Sequence, residues 1–471
     1  MMKLFWIAIL CAIFTPCTFS EDRVQIDAGK QNARKQNDGQ EIEIEEEVLE
    51  NGLRVVVVHT KSKNSVVCGI LYFVGFGDEP RNVVGISHFT EHMMFGGTTN
   101  LSSADLKKII EKYNKASNAF TANDITFYHH QCKKEFLDIN LKIEADRMQN
   151  LLLDEDYINR ERNVIIEERK MRVESDPRQK YMIESAFKIL YLYSTYSYIG
   201  IGYLDQINAC DRAAIETHYN KFYTPNNAAV IIVGDITLRE AVEKVKTYFG
   251  HIKKKGNAER NRIIDPDDTG LTYTMEHESD QIQMHDLDTI FNINPKQIDS
   301  MKKGLIAEML SNIVAARDDS ILHQILVDKK ELAFTVGSYI DNRAFDKGRL
   351  SISMILRDAS SVKIADKVMS DVIADFPSKY LTQEALEKEK AKLRDSVDMI
   401  MDNPASIAQW VVVNLGTGHS VSDIKNIRKC VRSIKLDDLK AAAKQIFTKK
   451  NRILQIYSHP KIAEKIEATH N

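Results

Sequence analysis

Gly85-Ile86-Ser87-His88-Phe89-Thr90-Glu91-His92-Met93-Met94-Phe95-Gly96-Gly97 is the stretch on which the reading of this chain turns. His88 and His92 stand four residues apart, with Glu91 directly before the second. Residues three and four apart share one face of an α-helix. The spacing therefore predicts a helix that presents two imidazoles and a carboxylate together, closed by Gly96-Gly97. Two imidazoles suit a metal ion, and a carboxylate beside them suits a base for the ion's water. The frame around them is apolar, with Ile86, Phe89, Met93, Met94 and Phe95. Three ionisable groups amid that much apolar surface are poorly explained as ordinary core.

A catalytic zinc takes three protein ligands and keeps a position for water. A set of two imidazoles and one carboxylate with an open position suits zinc, one Zn2+ per chain. The carboxylate is sought in the acidic stretch holding Glu161, Glu167, Glu168 and Glu174. Glu161 and Glu168 are seven residues apart, two helical turns, and so lie on nearly one face. Glu167 points away from it. Glu168 is expected as the third ligand, and Glu161 as the group that holds an imidazole N–H. Glu91 is expected to take a proton as water attacks a carbonyl, then to pass it to the leaving amine. His129 and His130 are neighbours in a strand-like run and face opposite sides, so a structural or exposed role is expected for them.

Outward from the site, the N-terminus has the order of a secretory signal. Lys3 precedes an apolar run from Leu4 to Phe14, then Thr15-Pro16 and Thr18-Phe19-Ser20, with a cut expected after Ser20. The run is short for a bilayer span; a retained anchor helix is the other reading. No other stretch looks transmembrane. The mature protein is expected to be exported, periplasmic if the source is Gram-negative, with no stable membrane insertion. Residues 21–40 are polar and read as a flexible lead-in. A net charge of −3, with no basic stripe bearing aromatics, gives no case for nucleic acid. Cys68, Cys132, Cys210 and Cys430 fit no zinc or redox spacing.

A chain of 471 residues suits two large domains. Asn51-Gly52 predicts a hairpin between Val48-Leu49 and the run 53–58. Strands are expected at 66–74, 119–129 and 230–233, and helices at 106–113, 136–152, 156–173 and 238–249. Residues 253–270 show little periodicity and mark the boundary. The domains are expected at 41–255 and 271–471, with a linker at 256–270. The second half carries helices at 303–316, 321–327, 362–376 and 383–401 and a strand at 350–356. Phe222-Tyr223-Thr224-Pro225-Asn226-Asn227 leads into one strand and Ile446-Phe447-Thr448-Lys449-Lys450-Asn451 into another, at an offset of 224 residues. The repeat points to two copies of one fold.

Gly77-Asp78-Glu79-Pro80, followed by Gly85 through Thr98, closely resembles the pitrilysin/insulinase family of inverted-motif zinc peptidases, which includes the mitochondrial processing peptidases. The stretch from Glu161 to Glu168 resembles the family's second motif, and Glu168, 76 residues past His92, stands where the family carries its third ligand. Tyr223-Thr224-Pro225-Asn226-Asn227 through Asp235 resembles a shared segment late in the first domain. The resemblance covers roughly residues 45 to 460 and is looser in the second half.

The resemblance implies an α+β fold of two related domains, each a mixed sheet packed with helices (the processing-peptidase/LuxS-like metallohydrolase fold). It implies an endopeptidase for oligopeptides or unfolded polypeptides, working in a chamber built from two such halves, of which this chain is one in length. It also implies peptide binding by strand addition along an edge resembled by Asn118-Ala119-Phe120-Thr121. There Asn118 would hold the substrate backbone and Ala119 and Phe120 would border it, Phe120 lining a side-chain pocket. The alternative is an ordinary edge with Phe120 in the core. In one place the chain departs from the family. Active members bring an arginine and a tyrosine from the opposite half; the matching positions here are Val327 and Phe334, which donate no side-chain hydrogen bond. The expectation is a heterodimer with a related zinc-free subunit that brings the pair. The alternative is a non-catalytic core or peptide-holding subunit of an assembly.

Overall fold

The computed structural model describes residues 41–460 apart from 62–63, 257, 261, 267–271, 342–345 and 449–451. The expected signal and lead-in, residues 1–40, lie outside the described residues, as does part of the expected linker. Strands β1 (Ile44–Val48), β2 (Arg54–His59), β3 (Val66–Tyr72), β4 (Asn114–Thr121), β5 (Thr126–Cys132) and β6 (Ala228–Gly234) form one sheet, ordered β1-β2-β6-β3-β5-β4. Strands β7 (Thr272–Glu278), β8 (His285–Ile293), β9 (Ala333–Asp341), β10 (Gly348–Leu356) and β11 (Arg452–Ser458) form a second, ordered β7-β11-β8-β10-β9.

Without β1 the two orders coincide, β2-β6-β3-β5-β4 against β7-β11-β8-β10-β9. Directions coincide as well. β6 runs parallel to β2 and antiparallel to β3, as β11 runs parallel to β7 and antiparallel to β8. β11 begins 224 residues after β6 (452 − 228), the offset of the helix–loop–strand repeat. The class is α+β, two mixed sheets packed with helices.

β3 and β6 are buried along their whole length, because both faces of their sheet are covered, and they read as unbroken apolar runs for that reason. On one face Val55, Val57, Ile70 and Ile232 share a core with Leu141 and Val245 of helices Leu137–Asn150 and Leu238–Phe249. On the other, Val56, Val67, Ile231 and Val233 share a core with Ile407, Val411 and Leu415 of helix Pro404–Gly416, which belongs to the second half. In exchange, Ile183 and Phe187 of the first half share a core with Ile290 and Ile453 of the second sheet. Each such side chain contributes about 1.5–3 kcal/mol by leaving water, so the halves are interlocked across both sheets.

Helices 238–249 and 383–401 have the expected bounds. The single strand expected over 119–129 is instead two antiparallel strands, β4 and β5, with Phe120 opposite Phe127. Asn123-Asp124 makes the turn between them, and these residues favour turns through local side-chain bonding. The helix expected to continue to Val173 is α-helical to Arg169 and then widens into a π turn over Lys170–Glu174. Strands β7, β8 and β9 were not expected; polar residues interrupt β7 and β8, and Asp286 lies buried within β8. In the expected linker the described residues form no helix or strand, yet Arg260 and Arg262 are anchored against the first half.

Candidate functional site

Helix α1 (Ile86–Met93) packs between edge strand β4 and helix α2 (Glu155–Arg169). All of α1 except His92 is buried, which explains the apolar frame. Gly85 opens it at φ +95°, and a Cβ there would meet the Gly202 Cα at 2.8 Å. Only glycine fits both constraints. The buried Glu79 carboxylate accepts the Gly85 N–H at 2.7 Å and the Ser87 N–H at 2.8 Å. Those are donors that a helix start leaves without intrahelical partners. Burial pushes the Glu79 carboxyl up to about 8, against the pull of these bonds.

On this frame His88 Nε2 lies 3.7 Å and His92 Nε2 3.6 Å from Oε2 of Glu168. One donor atom from each of the three residues falls within 4.8 Å of the others. These contacts are too long for good hydrogen bonds. Two donors about 2.1 Å from one tetrahedral ion sit about 3.4 Å apart, so two imidazoles and a carboxylate at this spacing fit a zinc ion. Glu161 Oε2 is 3.0 Å from the other ring nitrogen, Nδ1 of His92. Glu167 is exposed and pairs with Lys170.

Burial holds His88 down at about 3, with Glu168 pulling the other way. Burial also opposes charge on His92, but the carboxylates of Glu161 and Glu168 outweigh it and lift the ring to about 9. Glu168 is held near 2: burial would raise it, and His92, His88 and Arg172 overcome that. Burial raises the Glu91 carboxyl, while His92 and the Thr121 hydroxyl pull it down. Thr121 Oγ1 donates to Glu91 Oε2 at 2.6 Å.

Three supporting roles escaped the sequence reading. Thr121 at the end of β4 holds Glu91, Glu79 caps α1, and Arg172 pairs with Glu168. Only Arg172 had a legible signal, four residues beyond Glu168 and so on the same helical face.

β4 is an edge strand, paired among the described residues only with β5. Asn118 is half-buried opposite His129, and Ala119 is buried. Phe120 belongs to the hydrophobic core, 5% exposed, its ring 6.0 Å from that of Phe127. Its side chain packs into the core that the sheet shares with helix Pro404–Gly416, as in the alternative of an ordinary edge with Phe120 in the core. His130 and His129 do face opposite ways. The first bonds Glu144 at 2.7 Å, and the second stacks on Phe127. Cys68, Cys132, Cys210 and Cys430 are free thiols.

The profile described as Insulinase (Peptidase family M16) matches residues 54–195, and that described as Peptidase M16 inactive domain matches residues 209–393. The chain is 26% identical over 412 residues to the zinc protease PqqE of Helicobacter pylori, covering 85% of this chain and 89% of that protein. Its fold is similar to the crystal structure of a protease from Helicobacter pylori, with a TM-score of 0.80 at 24% identity over 89% of this chain and 100% of that one. It is also similar to the periplasmic protease PqqL of Escherichia coli, with a TM-score of 0.76 at 19% identity over 91% of this chain and 49% of that one.

Proposed function

Because the chain belongs to the insulinase (M16) family of peptidases, we propose that it is the zinc-bearing subunit of an endopeptidase that cuts oligopeptides or unfolded polypeptides. The observation that carries this is the convergence of His88, His92 and Glu168, with Glu91 buried beside them. His88, His92 and Glu168 would hold zinc. Once bound, zinc would make its water acidic enough to attack a peptide carbonyl and would steady the charge on the carbonyl oxygen. Glu91 takes the proton released as the water oxygen bonds to the carbonyl carbon. It then delivers that proton to the amine nitrogen as the C–N bond breaks. Thr121 fixes the Glu91 carboxylate for both transfers. Glu161 keeps the His92 ring turned so that Nε2 stays free to coordinate.

The substrate would lie along β4 as an added strand, its backbone paired with the open edge near Asn118 and Ala119. The Arg–Tyr pair of active relatives would come from a related zinc-free subunit. Phe334 is 53% exposed on β9 and Val327 packs against the core, and neither side chain carries a donor. Export to an extracytoplasmic compartment is part of this reading. It is supported by the N-terminal sequence and by the likeness to a periplasmic protease; no helix among the described residues is long and apolar enough to cross a membrane.

The same lack of donors, with the match of 209–393 to a domain described as inactive, favours a second reading, a peptide-holding subunit without turnover. A fluorogenic peptide assay separates the two. The full chain is assayed alone and with candidate zinc-free subunits, with and without a chelator, as wild type and as Glu91→Gln. The peptidase reading expects chelator-sensitive turnover that Glu91→Gln abolishes while zinc is retained. Full turnover by Glu91→Gln would overturn it, and peptide binding without turnover under any pairing would favour the second reading.

A further inference from the structure

The site rests on two separate supports. One is the loop Gly75–Glu79, whose last residue caps α1. The other is the β4–β5 turn, which follows Thr121, the partner of Glu91. Their backbones touch, the Phe76 N–H donating to Ala122 O at 3.0 Å and the Gly77 N–H to Asn123 O at 2.6 Å. Each support also carries a buried carboxylate, Asp78 with its side chain 0% exposed and Asp124 with 8%. Two buried acids this close repel unless a cation lies between them. The cations come from the segment joining the two halves: Arg262 pairs with both acids, and Arg260 Nε lies 3.7 Å from Asp78 Oδ1.

Arg262 donates from Nε to Asp78 Oδ1 at 2.8 Å and from Nη2 to Asp78 Oδ2 at 2.7 Å. Its Nη1 donates to Asp124 Oδ1 and, at 3.0 Å, to the Tyr196 hydroxyl, which itself donates to Asp124. The same Asp78 carboxylate accepts the Gly75 N–H at 3.2 Å. The contact is tight, since a Cβ on Gly77 would come within 3.3 Å of the Arg262 guanidinium carbon. A planar fork that grips one carboxylate with two nitrogens and a second with a third is specific to arginine.

We propose that Arg262 is a positioning residue that locks the loop capping α1 to the turn behind Thr121, and so sets where α1, with His88 and His92, stands relative to Thr121, the residue that holds Glu91. The inference rests on the zinc reading only for its metal readout. A lysine keeps the charge and loses the fork, so Arg262→Lys in the full chain is the deciding variant. It should hold the midpoint of thermal unfolding near that of wild type. Zinc affinity by chelator competition should fall about tenfold, in the range of other residues that orient metal ligands. In the metal-free protein, hydrogen exchange should quicken at the Gly85 and Ser87 amides.

Where Arg262→Lys fails to fold, Tyr196→Phe removes one hydroxyl from the same network and should move both readouts a few-fold in the same direction. Wild-type zinc affinity and exchange in both variants would overturn the proposal. So would a lowered midpoint with unchanged affinity, which marks a merely structural role. A wild-type chain that takes up no zinc fails the zinc reading instead, and the exchange arm still decides Arg262.

Discussion

Glu161 Oε2 lies 3.0 Å from Nδ1 of His92, while Nε2 of the same ring faces Glu168 Oε2 at 3.6 Å. One helix thus addresses both nitrogens of one imidazole, the first by a hydrogen bond and the second through the third donor of the set. A proton held at Nδ1 leaves the Nε2 lone pair free to coordinate. Glu161→Ala should weaken zinc binding by about 10- to 100-fold. Chelator competition measures it, and activity should return at saturating zinc. Unchanged affinity would show that the ring is oriented by packing alone.

In the proposed mechanism Thr121 acts on the base, Glu91, and not on the metal. Its hydroxyl is the donor to Glu91 at 2.6 Å, and hydrogen bonds to a charged group are worth about 1.5–3 kcal/mol. Thr121→Val keeps the shape and deletes the donor. It should lower kcat roughly 10- to 100-fold, leaving zinc content and KM near wild type. A change in KM with kcat intact would instead place Thr121 in substrate binding.

The parts of this site that were legible are those set by local geometry. His88, Glu91 and His92 are neighbours on one turn, and Glu161 and Glu168 are two turns apart on another, so helical period alone groups each set. The supports around them belong to tertiary packing. Thr121 meets Glu91 because an edge strand lies against α1, and Glu79 reaches back over a loop to its helix. Arg262 bonds Asp78 from 184 residues away. No periodicity encodes such contacts. The fold divides in the same way. The second sheet was half hidden because β8 buries Asp286, and the β4–β5 turn was read through because apolar residues continue on both sides of it.

A buried ion network beneath the first sheet ties part of the fold's stability to pH. Glu144 Oε1 bonds His130 Nε2 at 2.7 Å and Arg147 Nη1 at 2.8 Å, and the Arg147 guanidinium lies 4.8 Å from the Phe95 ring centre. Burial would raise the Glu144 carboxyl, but Arg147 and His130 outweigh it and hold it below the ordinary carboxylate value. The folded state therefore resists protonation more than the unfolded chain does. The stabilisation is complete above the ordinary Glu range and is lost as pH falls through the lowered folded-state value. Glu144→Gln, which breaks a buried pair, should cost about 3–5 kcal/mol at neutral pH. Urea unfolding from pH 7 to pH 3 should show that difference shrinking as the wild-type carboxylate protonates. A difference independent of pH would mean that shape, not charge, holds the network.

The last prediction concerns what this chain lacks. By the sequence resemblance, Val327 and Phe334 stand where active members of the family would place an arginine and a tyrosine, and a single donor to the oxyanion contributes about 100- to 1,000-fold in kcat. A self-paired chain would present two zinc sites and no such donor. Purified chain alone should turn over a fluorogenic peptide at least 100-fold more slowly than chain mixed with a zinc-free relative that bears the pair. Glu91→Gln in this chain should silence the mixture, and so should loss of the arginine or tyrosine in the partner, since one composite site needs both. The converse substitutions, Glu91 restored and the partner's own metal-site positions changed, should leave the rate where it was. Turnover by the chain alone at the rate of the mixture would mean that the donors come from elsewhere in this polypeptide, and the two-subunit arrangement would have to be abandoned.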